Sequence, residues 1–133
     1  MPGRRVAVIE DNDIVREGTA LLLRKEGFRV EAFPEAGAAL DRLREGPAPA
    51  LILLDMMLPQ PGMDGWGFLQ ERSRVTGLAT VPVVITTGLG VASPEWALSL
   101  GASGLLRKPV EFAALLAEVR RCCAEGTNAS PPQ

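Results

Sequence analysis

The chain has 133 residues, a net charge of −2 and 47% hydrophobic residues. That is enough for one ordinary domain with a real core, and it argues against a disordered chain or a basic surface that binds nucleic acid directly. No apolar run approaches bilayer length and no secretory leader is recognisable, so a soluble, cytoplasmic protein without membrane contact is expected.

In chain order, Val6-Ala7-Val8-Ile9 reads as a strand running into Glu10-Asp11. Short runs of branched apolar residues fit strands buried on both faces, as in a parallel sheet covered by helices. Asp13 is expected to cap a first helix in which Ile14, Leu21 and Leu22 keep roughly helical spacing, and Gly27 to stop it. Phe28 to Phe33 alternates as a half-buried strand does. Pro34 suits the first turn of a second helix, with Ala36, Ala39, Leu40 and Leu43 at i, i+3, i+4 and i+7. Leu51-Ile52-Leu53-Leu54 is a third strand ending at Asp55, followed by a long loop from Met56 to Asp64 and a short helix bearing Trp66 and Leu69.

Val81 to Thr86 reads as the fourth strand, leading to Thr87. Ser93-Pro94-Glu95 opens the next helix with a cap, a pre-set φ and an acid near the positive end of the dipole, and Gly101 closes it. Gly104 to Arg107 is the last strand and meets Lys108-Pro109. Phe112, Leu115, Leu116 and Val119 give the final helix its buried stripe. Cys122 and Cys123 near its end read as free thiols in a reducing compartment, because adjacent cysteines cannot easily meet disulfide geometry. Residues 126–133 read as a flexible tail or the start of a linker, which leaves residues 1–125 as the domain.

Five alternations of strand and helix with right-handed crossovers imply a doubly wound α/β fold with a parallel sheet in the order 2-1-3-4-5. Polar groups after each strand then emerge at one edge, the carboxyl edge, where open α/β folds place their sites. The first and third strands are neighbours in that order, so Glu10, Asp11 and Asp55 meet there. Three carboxylates within about 5 Å repel by roughly 3 kcal/mol per pair at an effective dielectric near 20. A hard divalent cation resolves the conflict, and an all-oxygen set in a chain without His favours Mg2+ over Zn2+. Only two of the fourteen basic residues are Lys, so Lys108 does not come from a lysine-rich background. Its ammonium can balance the acids and grip a phosphate oxygen, and the Thr87 hydroxyl can donate to one. A lone acid after a strand is most often a helix cap; the joint occurrence at four strand ends points to formation of an aspartyl phosphate.

Four segments carry a resemblance: Val-Ala-Val-Ile-Glu-Asp-Asn (6–12), Leu-Leu-Asp-Met-Met-Leu-Pro (53–59), Val-Val-Ile-Thr-Thr-Gly (83–88) and Gly-Ala-Ser-Gly-Leu-Leu-Arg-Lys-Pro (101–109). Over residues 4–124 the chain resembles the response regulator receiver domain of two-component signalling. The resemblance implies a flavodoxin-like fold in which Asp55 accepts a phosphoryl group from a phosphohistidine on a sensor histidine kinase or phosphotransfer protein. It implies that Glu10, Asp11, Asp55 and the backbone carbonyl of Met57 bind Mg2+, and that Thr87 and Lys108 contact the phosphoryl group. The domain would be a signalling phosphoacceptor that assists only its own phosphorylation and dephosphorylation. Its last helices and strand would bind an output domain or protein, or pair two receivers in a phosphorylation-dependent homodimer. The chain departs from the family pattern at Leu105, where the family usually has an aromatic switch residue. The loop after Asp55 is also longer than the common form, with Gln60-Pro61 as the insertion.

Two other classes share parts of this pattern. A haloacid dehalogenase enzyme also uses an Asp nucleophile, Mg2+, Thr and Lys, but it needs paired acids after its lysine; here only Glu111, Glu118 and Glu125 follow Lys108. A flavin mononucleotide module would place a hydroxyl- and glycine-rich phosphate loop after the first strand, where this chain has Glu10-Asp11. A receiver that no longer takes phosphate would lack part of the acid, Thr and Lys set, all of which is present. Met57 and Leu89, two positions beyond Asp55 and Thr87, are apolar and cannot orient an attacking water, so slow self-hydrolysis is expected.

Overall fold

The computed structural model describes residues 4–59 and 61–127, with side chains through Cys123. Strands β1 (Arg5–Ile9), β2 (Arg29–Phe33), β3 (Leu51–Asp55), β4 (Val83–Thr87) and β5 (Gly104–Arg107) alternate with helices α1 (Asp13–Lys25), α2 (Ala36–Glu45), α3 (Gly65–Arg72), α4 (Pro94–Ser99) and α5 (Phe112–Thr127). The strands pair in parallel in the order β2-β1-β3-β4-β5, as the sequence implied.

Strand alternation divides the core in two. Ala7, Ile9, Ile52, Leu54, Val83 and Ile85 face one side of the sheet and pack under α2, α3 and α4. Val6, Val8, Leu51, Leu53 and Val84 face the other, under α1 and α5, where they meet Leu23, Leu115 and Val119. Each fully buried aliphatic side chain contributes about 1.5–3 kcal/mol, so the central strands hold the sheet edge in place. Ala36, Ala39, Leu40 and Leu43 are all buried, as their spacing requires. Cys122 and Cys123 are buried against the second core.

Several local expectations are corrected. Asn12, not Asp13, caps α1: its side chain accepts the Val15 N–H at 2.9 Å, and Asp13 lies in the first turn. Pro34 precedes α2 rather than sitting in its first turn; the helix begins at Ala36, after an extended Glu35. β4 begins at Val83 and includes Thr87, and β2 begins at Arg29. The buried residues of α1 are Ala20 and Leu23, whereas Ile14 is 84% exposed and Leu21 and Leu22 also face solvent. Apolar residues occur on several faces of this helix, so spacing alone did not select the one that the crossover turns inward. Gly126 and Thr127 continue α5, and the rest of the expected tail lies outside the described residues, as does Gln60 of the expected insertion. Among the described residues, no helix is long and apolar enough to cross a membrane.

One glycine fixes how closely α3 approaches the end of β3. A Cβ on Gly65 would lie 2.7 Å from the Met56 Cα and 3.2 Å from the Asp55 carbonyl oxygen. Gly65→Ala is therefore expected to push on the backbone that carries Asp55. Overpacking of this kind costs about 1–3 kcal/mol, read as a lower urea midpoint, and the shift should slow modification of Asp55.

Candidate functional site

β1 and β3 lie side by side, and their ends bring the acids together. One carboxylate oxygen from each of Glu10, Asp11 and Asp55 lies within 4.8 Å of the others. Glu10 and Asp55 are 4% and 2% exposed, while Asp11 is open to solvent. Glu10 is anchored by its own N–H, which donates to the Phe33 carbonyl at 3.0 Å, and its Oε2 accepts the Asn12 N–H at 3.2 Å. The guanidinium of Arg16 donates to the Glu10 carbonyl at 3.1 Å. In Asp55, Oδ1 accepts the Met57 N–H at 3.0 Å, which fixes the carboxylate's rotation.

Lys108 reaches across from the end of β5. Its Nζ donates to Glu10 Oε1 at 3.0 Å and to Asp55 Oδ2 at 3.1 Å. The peptide bond from Lys108 to Pro109 is cis, and the Lys108 N–H donates to the Thr87 carbonyl at 2.9 Å. Burial pushes the Glu10 carboxyl above its usual range, against the opposing pull of Lys108. Burial alone would lower the Lys108 amine, but the bond to Glu10 and the charges of Asp55 and Glu10 hold it above its ordinary value. Lys108 thus bonds to two of the three carboxylates. The donor set is oxygen only and carries excess negative charge, which fits a hard divalent cation such as Mg2+.

Thr87 is fully buried at the end of β4, next to β3, and its Oγ1 accepts the Leu89 N–H at 3.1 Å. The hydroxyl proton remains available for another acceptor. Met57 is 54% exposed beside Asp55, and Leu89 is half-buried beside Thr87. Leu105 is half-buried and packs against the core beneath α2, α3 and α4. Asn12, Arg16 and Arg107 hold parts of the site that the sequence reading did not single out. The spacing of Asp13 and Arg16, which form an ion pair at 2.5 Å, was the available signal for Arg16. Of the acids after Lys108, Glu118 pairs with Arg121 at 2.8 Å on α5 and is absent from the carboxylate cluster.

The response regulator receiver domain family matches residues 6–120. The chain belongs to that family. It is 33% identical over 128 residues to the transcriptional regulatory protein CseB of Streptomyces avermitilis, covering 96% of this chain and 52% of CseB. It is 38% identical over 122 residues to the transcriptional regulatory protein FixJ of Azorhizobium caulinodans, covering 86% of this chain and 53% of FixJ. The receiver thus spans about half the length of these curated relatives. A CheY-like receiver domain protein from Methanospirillum hungatei JF-1 superposes with a TM-score of 0.83 at 25% identity, covering 96% of this chain and 99% of that one. The receiver is a signalling domain of two-component systems, and its acidic pocket is the kind in which receivers bind Mg2+.

Proposed function

We infer that this receiver takes a phosphoryl group on Asp55 from a partner's phosphohistidine, in a Mg2+-dependent reaction, and passes the signal to a downstream domain or protein in the cytoplasm. The observation that carries this reading is the ammonium of Lys108 bridging Glu10 and Asp55 inside the three-carboxylate cluster.

The Asp55 carboxylate attacks phosphorus, the P–N bond to the donor histidine breaks, and the imidazole leaves with the bonding electron pair and takes a proton from solvent. Glu10, Asp11, Asp55 and the Met57 carbonyl would hold Mg2+, which when bound screens charge on the transferring phosphoryl oxygens. Lys108, already 3.1 Å from Asp55 Oδ2, then pairs with a phosphoryl oxygen. Thr87 donates its hydroxyl proton to another oxygen. A cleft of about 320 Å³ between α1 and α5 adjoins Glu10 and Lys108 and is lined by Ile14, Val15, Leu22 and Phe112. Its apolar walls beside Glu10 and Lys108 suit the surface of the phosphohistidine donor.

The deciding test is treatment of the native chain with acetyl phosphate and Mg2+, read by intact mass. A gain of about 80 Da, one phosphoryl group, supports the reading, and no gain overturns it. Once formed, the phosphoryl group should be lost slowly, because the side chains of Met57 and Leu89 offer no acceptor that could orient water. Met57→Asn should speed loss of radiolabel by about tenfold, below the ~10²-fold of a fully positioned proton acceptor. Loss from the native chain within minutes would reject this part.

A further inference from the structure

Arg107, the last residue of β5, stands opposite Thr87 in the strand register. Its guanidinium donates to the Leu89 carbonyl at 3.1 Å and to the Ala92 carbonyl, both in the connection between β4 and α4. Among the described residues it has no carboxylate within ion-pair distance. The fork of an arginine can reach two acceptors at once, and here both are main-chain carbonyls of one loop.

Leu89 is consequently held at both ends. Its N–H donates to Thr87 Oγ1 and its carbonyl accepts from Arg107. Gly88 and Gly90 flank it, and a Cβ at either would meet nothing within 4 Å. Two glycines in open space leave the loop little of its own to fix its path. The loop keeps one turn bond of its own, from the Ala92 N–H to the Leu89 carbonyl at 3.3 Å, and the guanidinium adds to that fixation. If the Thr87 oxygen moves toward a group on Asp55, Leu89 either follows or loses its acceptor, and following strains the bond to Arg107. Ala92 leads directly to Ser93, the cap of α4, so the same clasp also holds the start of that helix.

We propose that Arg107 is a positioning residue that clasps the β4–α4 loop in its unphosphorylated arrangement, coupling Thr87 to the outer face of β5 through Leu89. The proposal rests on the phosphoacceptor reading of Asp55. It assigns to an arginine a link that Leu105, with no polar group, cannot make.

The test is titration with beryllium trifluoride, a phosphoryl mimic, in Mg2+, for the native chain, Arg107→Met and Arg107→Lys. Tryptophan fluorescence reads the loop, because Trp96 in α4 meets Trp66 in α3 edge-on at a centroid distance of 6.0 Å. Arg107→Met keeps the stem but loses both bonds, so the mimic should bind about fivefold more tightly, the low end of ordinary site-to-site coupling. Arg107→Lys keeps the charge but cannot span both carbonyls, and it should also bind the mimic more tightly than the native chain. Unchanged or weaker binding in Arg107→Met overturns the clasp. So does an Arg107→Lys variant that matches the native chain, since charge alone would then account for the effect. A native chain that gains phosphoryl mass while all three bind the mimic equally sinks the clasp and leaves the function intact. A native chain that neither gains mass nor binds the mimic sinks both.

Discussion

Asp55→Asn is expected to abolish the mass gain from acetyl phosphate while folding more stably than the native chain in metal-free buffer. Asparagine keeps the shape and one acceptor for the Met57 N–H, but it lacks the carboxylate nucleophile. Its effect on stability follows from opposing charges. Within a 4.8 Å cluster, repulsion of Asp55 by Glu10 and by Asp11 is about 3 kcal/mol each at an effective dielectric near 20. Attraction to Lys108 at 3.1 Å returns about 5 kcal/mol by the same arithmetic. These nearly cancel, and the cost of keeping a carboxylate that is 2% exposed away from water decides the sign. A gain of about 1 kcal/mol in urea unfolding is expected, the sort of trade a site makes against the fold. Saturating Mg2+ should reverse the order, because only the native chain keeps the full carboxylate set and is stabilised by mass action. Residual phosphoryl mass in the variant, or a native chain more stable than the variant without metal, would contradict this account.

Lys108→Met should produce the largest loss of stability. It removes the one ammonium that bonds to both Glu10 and Asp55. Breaking a buried ion pair by deleting one partner costs about 3–5 kcal/mol, a large share of an ordinary domain's stability. The loss should shrink on acidification, and the sign follows from Glu10. Burial already places its carboxyl above 4.5 in the folded state, and removal of Lys108 raises it further. A carboxyl that holds its proton more tightly when folded loses stability as pH rises from 4.5 through its folded value, and regains it as pH falls. The native chain has an opposite limb at high pH. The raised Lys108 amine contributes fully below 10.5, and that contribution fades as pH climbs through its folded value. Urea midpoints in chelator at pH 7 and pH 5 would check both variants, and a Lys108→Met loss that is the same at both pH values would refute the assignment. Phosphorylation of this variant by acetyl phosphate and Mg2+ should also be slower, since the ammonium that would pair with a phosphoryl oxygen is gone.

The acid cluster was legible because Val6–Ile9 of β1 and Leu51–Leu54 of β3 are wholly apolar and buried on both faces, so each run ends abruptly at its first polar residue. Leu54 to Asp55 and Ile9 to Glu10 are such transitions. The helix caps were less legible: Asn12 and Asp13 are both good capping residues, and the hydrogen bond to Val15 chose between them. The inward face of α1 was hidden by apolar residues on its other sides. Arg107 was also hidden. An arginine at the end of a strand ordinarily reads as a solvated flank, and its two acceptors are main-chain carbonyls that no side-chain pattern announces.

The division of labour on α1 has a consequence for how such a domain diversifies. Ala20 and Leu23 dock the helix, while Ile14, Val15 and Leu22 touch water in the cleft that adjoins Glu10. Exchanging an exposed side chain opens no cavity, so its identity is nearly free of the constraint that burial places on Leu23. A lineage that duplicates this gene can rewrite the rim around Glu10 and Asp55 without weakening the sheet that presents them. On the proposed function, sister copies would thereby become deaf to one another's donors while sharing the same acid cluster.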